Sequence, residues 1–200
     1  MEQINLRKTL ELLKKYKLGF VDYKIVKDEK DLDKIDYPVV MKVFSEEIVH
    51  KSEKGGVIVN IKDKDDALAA FKKLRKISKD VLVQKMIFGK EVIIGMKKDP
   101  QFGPVIMFGL GGIFVEVMKD TSLRICPVNK DDAISMIKEI KAYKILSGTR
   151  GEKNVDIDGI ANIIVKLSSL SLKEKINEID LNPVMVNEKE AVIVDARFMA

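Results

Sequence analysis

Gly109-Leu110-Gly111-Gly112-Ile113-Phe114-Val115-Glu116 is the stretch on which the fold class turns. Its glycines imitate a dinucleotide-binding fingerprint, but the third glycine of that pattern is missing, and the run lies between apolar strands instead of at a helix start. A doubly wound nucleotide fold is therefore excluded. Glu116 follows directly on a buried run, which places a carboxylate at a strand end. Just upstream, Asp99-Pro100-Gln101-Phe102-Gly103-Pro104 has the turn chemistry of a hairpin joining Glu91–Met96 to Val105–Phe108, so the sheet here is antiparallel.

Towards the N-terminus the patterning predicts strands at Val81–Met86, Val57–Ile61, Tyr37–Val43 and Tyr23–Val26. A helix capped by Asp63 or Asp65 carries Leu68, Phe71 and Leu74 as an apolar stripe, and another runs from an Asn5 cap to about Tyr16 with Leu6, Leu10 and Leu13 on one face. Lys42 falls inside the apolar Tyr37–Val43 run, where a lysine either snorkels to the surface or is aimed at an anion. Towards the C-terminus, helices over Asp131–Ile145 and Ile157–Leu170 flank Gly148-Thr149-Arg150-Gly151. Strands at Ile176–Asp180, Pro183–Val186 and Ala191–Asp195 follow, the last two joined by an Asn187-Glu188-Lys189-Glu190 turn. The sum is an α+β chain with mainly antiparallel sheets and flanking helices.

With 200 residues and 46% apolar content the chain can bury a real core as one domain or two small lobes. No apolar run approaches the roughly 20 residues that span a bilayer, and Met1-Glu2-Gln3-Ile4-Asn5 lacks a signal-peptide pattern. A cytoplasmic protein without a membrane partner is expected. A single cysteine, Cys126, rules out an internal disulfide and a cysteine-rich zinc site. Its 36 basic and 31 acidic residues are interspersed, which suits an anionic ligand better than a nucleic acid. Heavy use of Lys, Glu and Ile, with only three glutamines, is a thermophile-like composition.

Two groups of residues carry chemistry. His50-Lys51-Ser52-Glu53-Lys54-Gly55-Gly56-Val57 holds the one histidine of the chain. Its neutral ring nitrogen can attack phosphorus, Lys51 and Lys54 can neutralise phosphate charge, and Gly55 and Gly56 allow close backbone approach. Read by itself, the segment is first of all a solvated loop between strands. The second group is Glu116, Asp180, Asn182 and Asp195, oxygen donors at predicted strand ends that suit Mg²⁺. Asp180 and Asn182 are two apart and share a face on an extended chain, and Asp195 can meet them across the hairpin. The same groups also serve simply to solvate a sheet edge.

Taken in order, Pro38-Val39-Val40-Met41-Lys42, His50 to Val57, Gln84-Lys85-Met86, Glu91 to Gly95, Phe102-Gly103-Pro104, Gly109 to Glu116, Gly148 to Gly151 and Asp180-Leu181-Asn182-Pro183 resemble the ATP-grasp β subunit of ADP-forming acetyl-CoA synthetase. The likeness runs from about Leu6 to Phe198. It implies an ATP-grasp fold of two lobes, placed here at residues 1–80 and 81–200, with ATP or ADP between them. It further implies that Lys42, Lys51, Gly55 and Gly56 attend the phosphates, that Gln84, Lys85 and Met86 line the adenine, and that Glu91 and Glu116 lie near the nucleotide. Asp180, Asn182 and Asp195 would hold Mg²⁺, and His50 would be the residue phosphorylated in transfer. Arg124 and Arg150 are further candidates for phosphate or interface contacts.

The implied reaction turns acyl-CoA, ADP and phosphate into acid, CoA and ATP. With no second histidine and no room for a CoA-binding domain, the acyl chemistry falls to an α subunit, in an α2β2 assembly. A succinate–CoA ligase-like β subunit, which needs no phosphorylatable histidine on this chain, and a non-catalytic nucleotide-binding regulatory module are the alternatives. Lys27–Tyr37 is shorter than the corresponding helical region of such subunits, and Leu18-Gly19-Phe20-Val21 replaces their Gly-Ile-Pro-Val type of segment.

Overall fold

The computed structural model describes residues 2–44, 55–112, 120–148 and 153–200. Helix α1 (Leu6–Lys15) begins at Asn5, whose side chain accepts the Lys8 N–H and so satisfies a donor that the first turn leaves free. The chain divides into two compact units, one over Val21–Ile87 and the other made of Phe88–Ala200 together with the chain up to Phe20.

In the smaller unit β1 (Tyr23–Val26), β2 (Val39–Phe44), β3 (Val57–Ile61) and β4 (Asp80–Lys85) form an antiparallel sheet in the order β1-β4-β2-β3. One face packs on α2 (Lys64–Leu74), which is capped by the Asp63 side chain, and on a 3₁₀ turn at Glu29–Lys34. Val39, Met41, Val43, Val81 and Val83 bury on that side with Ala67, Phe71 and Leu74. Alternation sends Lys42, Leu82 and Gln84 to the reverse face.

The larger unit holds β5 (Lys90–Asp99), β6 (Gly103–Leu110), β7 (Thr121–Ile125), α3 (Lys130–Glu139), α4 (Tyr143–Leu146), α5 (Ile157–Lys173), β8 (Glu178–Val186), β9 (Ala191–Ile193) and β10 (Arg197–Met199). The strands run β10-β8-β5-β6-β7, every neighbour antiparallel, with β9 beside β8. Val92, Ile94, Met96, Ile106, Phe108, Ile179, Leu181 and Phe198 face a core shared with α3 and α5. Their alternates, among them Gly95, Met107, Leu123, Asp180 and Arg197, form the open face. Glu174 at the end of α5 accepts from both Lys15 Nζ and Tyr16 Oη at 2.7 Å, which ties α1 to this unit. No helix of the described residues is long and apolar enough to cross a membrane.

The division at residue 80 expected from sequence is corrected at both ends. Leu13 and Leu18 bury in the larger core, so the N-terminal helix belongs with the C-terminal residues. Strand β4 pairs with β1 and β2 at the centre of the small sheet, so the smaller unit extends to Ile87. Strands 176–180 and 183–186 are one strand, β8, with a register shift against β5 between Val92 and Ile94. The helix expected to reach Ile145 stops at Glu139, because Ile140 is extended and the Asp120 carboxylate takes the Lys141 and Ala142 N–H groups at 2.9 and 2.7 Å.

Candidate functional site

The site residues fall on two sheet faces, one in each unit. In the smaller unit β2 carries Lys42 and β4 ends in Gln84-Lys85-Met86. Lys42 is 8% exposed and Gln84 2%, both on the face away from α2. Burying an ammonium is costly unless something compensates its charge, so its place in the middle of a strand is not that of a solvated surface lysine. The Met86 N–H donates to the Pro38 carbonyl at 3.1 Å, which holds the end of β4 against the start of β2. A cleft of about 500 Å³ opens there, bordered by Tyr23, Tyr37, Pro38, Gln84, Lys85 and Met86. The segment expected to line a nucleobase thus borders a hollow of ligand size whose walls mix aromatic and apolar side chains with the charged Asp22, Lys24, Asp36 and Lys85.

Gly55 and Gly56 lead into β3. The Gly56 carbonyl accepts the Val43 N–H at 2.9 Å, and Val57 lies across from Lys42. Gly55 has φ +65° and open space where a Cβ would sit, so backbone conformation rather than crowding requires glycine. His50 and Lys51 lie outside the described residues. The ladder nevertheless fixes both ends of their connection, Phe44 and Gly55, at the Lys42 end of the small sheet.

In the larger unit Glu91 is exposed on β5, and the Gly111 N–H reaches its carbonyl at 2.8 Å. A Cβ on Gly111 would stand 3.0 Å from the Cβ of Glu91, and Gly112 has φ +67°. The glycine run therefore serves close passage over β5 and a turn at the end of β6, as its position between strands predicts. Glu116 lies outside the described residues, as do Thr149, Arg150 and Gly151. Arg124 projects to the helix-covered side and pairs with Glu139 of α3 at 2.6 Å, so it builds structure instead of facing a ligand.

Asp180, Asn182 and Asp195 are brought together. The β9 ladder ends at Ile193 opposite Val184, and the β10 ladder opens at Arg197 opposite Asp180. The Val194 N–H reaches the Pro183 carbonyl at 3.2 Å. The two segments thus advance by the same number of residues between ladders, which sets Asp195 alongside Asn182. Asp180 is half-buried on the open face, between Gly95 and Arg197 of the neighbouring strands. Burial holds its carboxyl above the usual carboxylate range, the Arg197 guanidinium pulls it back, and the negative charges of Asp195 and Glu178 raise it further. Two carboxylates and an amide oxygen are hard donors that fit Mg²⁺, which takes few protein oxygens. Arg197 is the residue of this face that sequence reading passed over. The Asp195-Ala196-Arg197 spacing was the available signal, since residues two apart share a strand face.

The Asp180 environment makes a measurable prediction. A carboxyl raised in the folded state contributes stability that is present below the unfolded value and lost as pH rises through the folded one. In chelator, Asp180→Asn is expected to unfold about 2 °C or more above the wild type at neutral pH. The two should converge in acid. Thermal scans across pH 4 to 8 check it, and a gap that widens towards acid would contradict the burial cause.

The chain is thus a two-unit α+β protein of antiparallel sheets, with a buried lysine on the sheet of one unit and oxygen donors on the sheet of the other. The sequence matches the ATP-grasp domain family over residues 2–199. It is 47% identical over 204 residues to the β subunit of ADP-forming acetate–CoA ligase I of Pyrococcus furiosus, covering 94% of this chain and 88% of that subunit. Among solved structures it resembles the dinucleotide-forming acetyl-coenzyme A synthetase 1 of Candidatus Korarchaeum cryptofilum in complex with coenzyme A, Ca-AMPCP and HgCl⁺, at TM-score 0.91 and 36% identity over 99% of this chain and 93% of that one. A second structure of that synthetase, with coenzyme A and Mg-AMPPCP and its phosphohistidine segment pointing towards the nucleotide site, gives TM-score 0.87 and 38% identity, covering 99% and 92%. The chain belongs to the ATP-grasp family, and within it to the β subunits of the ADP-forming acetate–CoA ligases. These relatives favour that branch over the succinate–CoA ligase-like and non-catalytic alternatives.

Proposed function

We propose that this chain is the nucleotide-handling β subunit of an ADP-forming acyl-CoA synthetase, working with an α subunit that binds CoA and carries out acyl transfer. The observation that carries the reading is similarity along nearly the whole of a β subunit of that named activity. The buried lysine, the cleft beside Gln84–Met86 and the oxygen-donor cluster supply the parts that a nucleotide phosphate and base require.

In this reading Lys42 holds phosphate oxygens as a fixed cation, assisted by Lys51 and the Gly55-Gly56 backbone, while Gln84, Lys85 and Met86 seat the adenine. Glu91 and Glu116 border the nucleotide. Asp180, Asn182 and Asp195 hold Mg²⁺, which when bound neutralises phosphate charge. The neutral His50 ring accepts a phosphoryl group from a phosphohistidine of the α subunit, a new N–P bond forming as the donor's N–P bond breaks and the donor imidazole leaves. Attack by a terminal oxygen of ADP then breaks the new bond and regenerates the imidazole. An α2β2 assembly accommodates one such pair per active site. A single buried cysteine suits a reducing, cytoplasmic setting.

The isolated chain is expected to bind Mg-ADP and to make no ATP from acetyl-CoA, ADP and phosphate until a cognate α subunit is added. Calorimetry followed by a coupled ATP assay checks both halves. Turnover by the chain alone would refute dependence on a partner, and absence of nucleotide affinity would refute the reading itself.

A further inference from the structure

Strand β7 turns its polar side chains towards the helices and leaves Leu123 and Ile125 exposed. Asp120, Ser122 and Arg124, two residues apart along β7 and its lead-in, all reach the chain between Met136 and Ala142. The Ser122 hydroxyl donates to the Met136 carbonyl at 2.8 Å, and Arg124 pairs with Glu139 at 2.6 Å. Both bonds hold α3, which Ala133, Met136 and Ile137 already seat in the core. Asp120 reaches past that helix. One carboxylate oxygen accepts the Lys141 N–H at 2.9 Å and the other the Ala142 N–H at 2.7 Å. Ala142 precedes α4 and offers no side-chain cap of its own, so these donors depend on a residue 21 and 22 positions upstream.

Asp120 thereby joins two glycine-bearing segments of the larger unit. A Cβ on Gly109 would stand 3.1 Å from the Asp120 carbonyl oxygen, so the run Gly109-Leu110-Gly111-Gly112 opens in close contact with it. That run goes on to Gly111, whose N–H reaches the Glu91 carbonyl at 2.8 Å. On the far side of the carboxylate, α4 leads into Gly148 at φ +74°, and its last residue, Leu146, accepts the Val155 N–H at 3.0 Å. Both segments carry residues of the ordered motifs through which the chain resembles its family, and by sequence Glu116 lies four residues before Asp120. A carboxylate accepting two backbone donors makes stronger bonds than a neutral acceptor does. The joint is therefore stiff as well as long-range.

We propose that Asp120 is a positioning residue for phosphoryl transfer, acting through the two segments that its carboxylate ties together. The inference rests on the nucleotide-handling reading above. Asp120 itself contacts no ligand in it. It fixes the glycine run after β6 relative to the turn after α4, so that groups carried by these segments meet the reacting phosphate in one arrangement instead of several. Transfer depends steeply on such placement, since a displacement of about 1 Å caused far from the chemistry costs roughly a hundredfold in rate. Binding of the nucleotide at rest is less exposed to it, because Lys42 and the Gln84–Met86 segment belong to the other unit and Asp180, Asn182 and Asp195 to other strands.

The full chain reconstituted with its α subunit tests this as wild type, Asp120→Asn and Asp120→Ala, with kcat and KM for ADP read beside Mg-ADP calorimetry and thermal unfolding of the chain. Asp120→Ala is expected to lower kcat per folded chain about tenfold to a hundredfold, while Mg-ADP affinity stays within about twofold. Asp120→Asn should recover part of the loss, because its amide oxygen still accepts one of the two N–H groups. Should the alanine variant fail to fold, the asparagine variant carries the same comparison of kcat with affinity. A lowered unfolding temperature with full kcat overturns the proposal, as does a parallel loss of kcat and affinity; either marks Asp120 as structural. A wild-type complex that makes no ATP overturns the reading of function and the proposal with it.

Discussion

Replacing His50 by alanine is expected to abolish ATP formation in the reconstituted complex, by at least roughly four orders of magnitude, as removal of an attacking group does elsewhere. Mg-ADP binding should survive nearly intact, because Lys42, the Gln84–Met86 segment and the oxygen donors are untouched. The motive is positional. The chain's one histidine lies in the connection between β2 and β3, whose flanking residues are held beside Lys42 by the Val43 N–H to Gly56 carbonyl bond. Labelled ATP should leave acid-labile, base-stable label on this chain in the wild type and none in the variant. Because the neutral ring is the reactive form, labelling should weaken as pH falls below the usual imidazole range. Normal turnover in His50→Ala, with label confined to the α subunit, would make the histidine a bystander.

Lys42→Met is expected to produce the second large loss. It keeps the length of an aliphatic stem while removing the charge, so the β2 ladder to Val57 and Leu82 should persist. A fixed cation in a water-poor site is worth more to a phosphoryl group in flight than to one at rest. Turnover should therefore fall about a hundredfold to a thousandfold, and Mg-ADP affinity only about tenfold. Steady-state kinetics of the reconstituted complex, set beside calorimetry of the chain, separate the two. Equal losses in both would reduce Lys42 to an affinity residue.

Much of this was legible because local and tertiary preferences agree. Asn5 and Asp63 cap the helices expected of them, and the Val57–Ile61 strand falls on its predicted residues. The Asp99–Gly103 hairpin turns where its Pro and Gly require. What escaped were elements whose signal is inverted or too short. In β7 the core-facing position is Ser122, whose hydroxyl donates to the Met136 carbonyl at 2.8 Å, while Leu123 and Ile125 face outward. Alternation read by hydropathy points such a strand the wrong way. Strand β10 has three residues and one buried side chain, Phe198, too little pattern to register, and with it went Arg197. The two-residue spacing of Asp180 and Asn182 was visible in the sequence, but the place of Asp195 beside them depends on Asp195 and Asn182 lying midway between two ladders, which no local pattern encodes.

The smaller unit is an insertion, and its two crossing points are neighbours. Tyr23 lies across from Gln84, and the Lys85 N–H donates to the Asp22 carbonyl at 3.2 Å, so the chain leaves and returns to the larger unit through adjacent strands. A module tethered at one doorway can be lifted out by a short bridge of a few residues, or exchanged for another, without rethreading the host. By sequence the histidine-bearing connection travels with the module, while Asp180, Asn182 and Asp195 stay with the host, so such a graft would part the two groups of residues on which the proposed function depends.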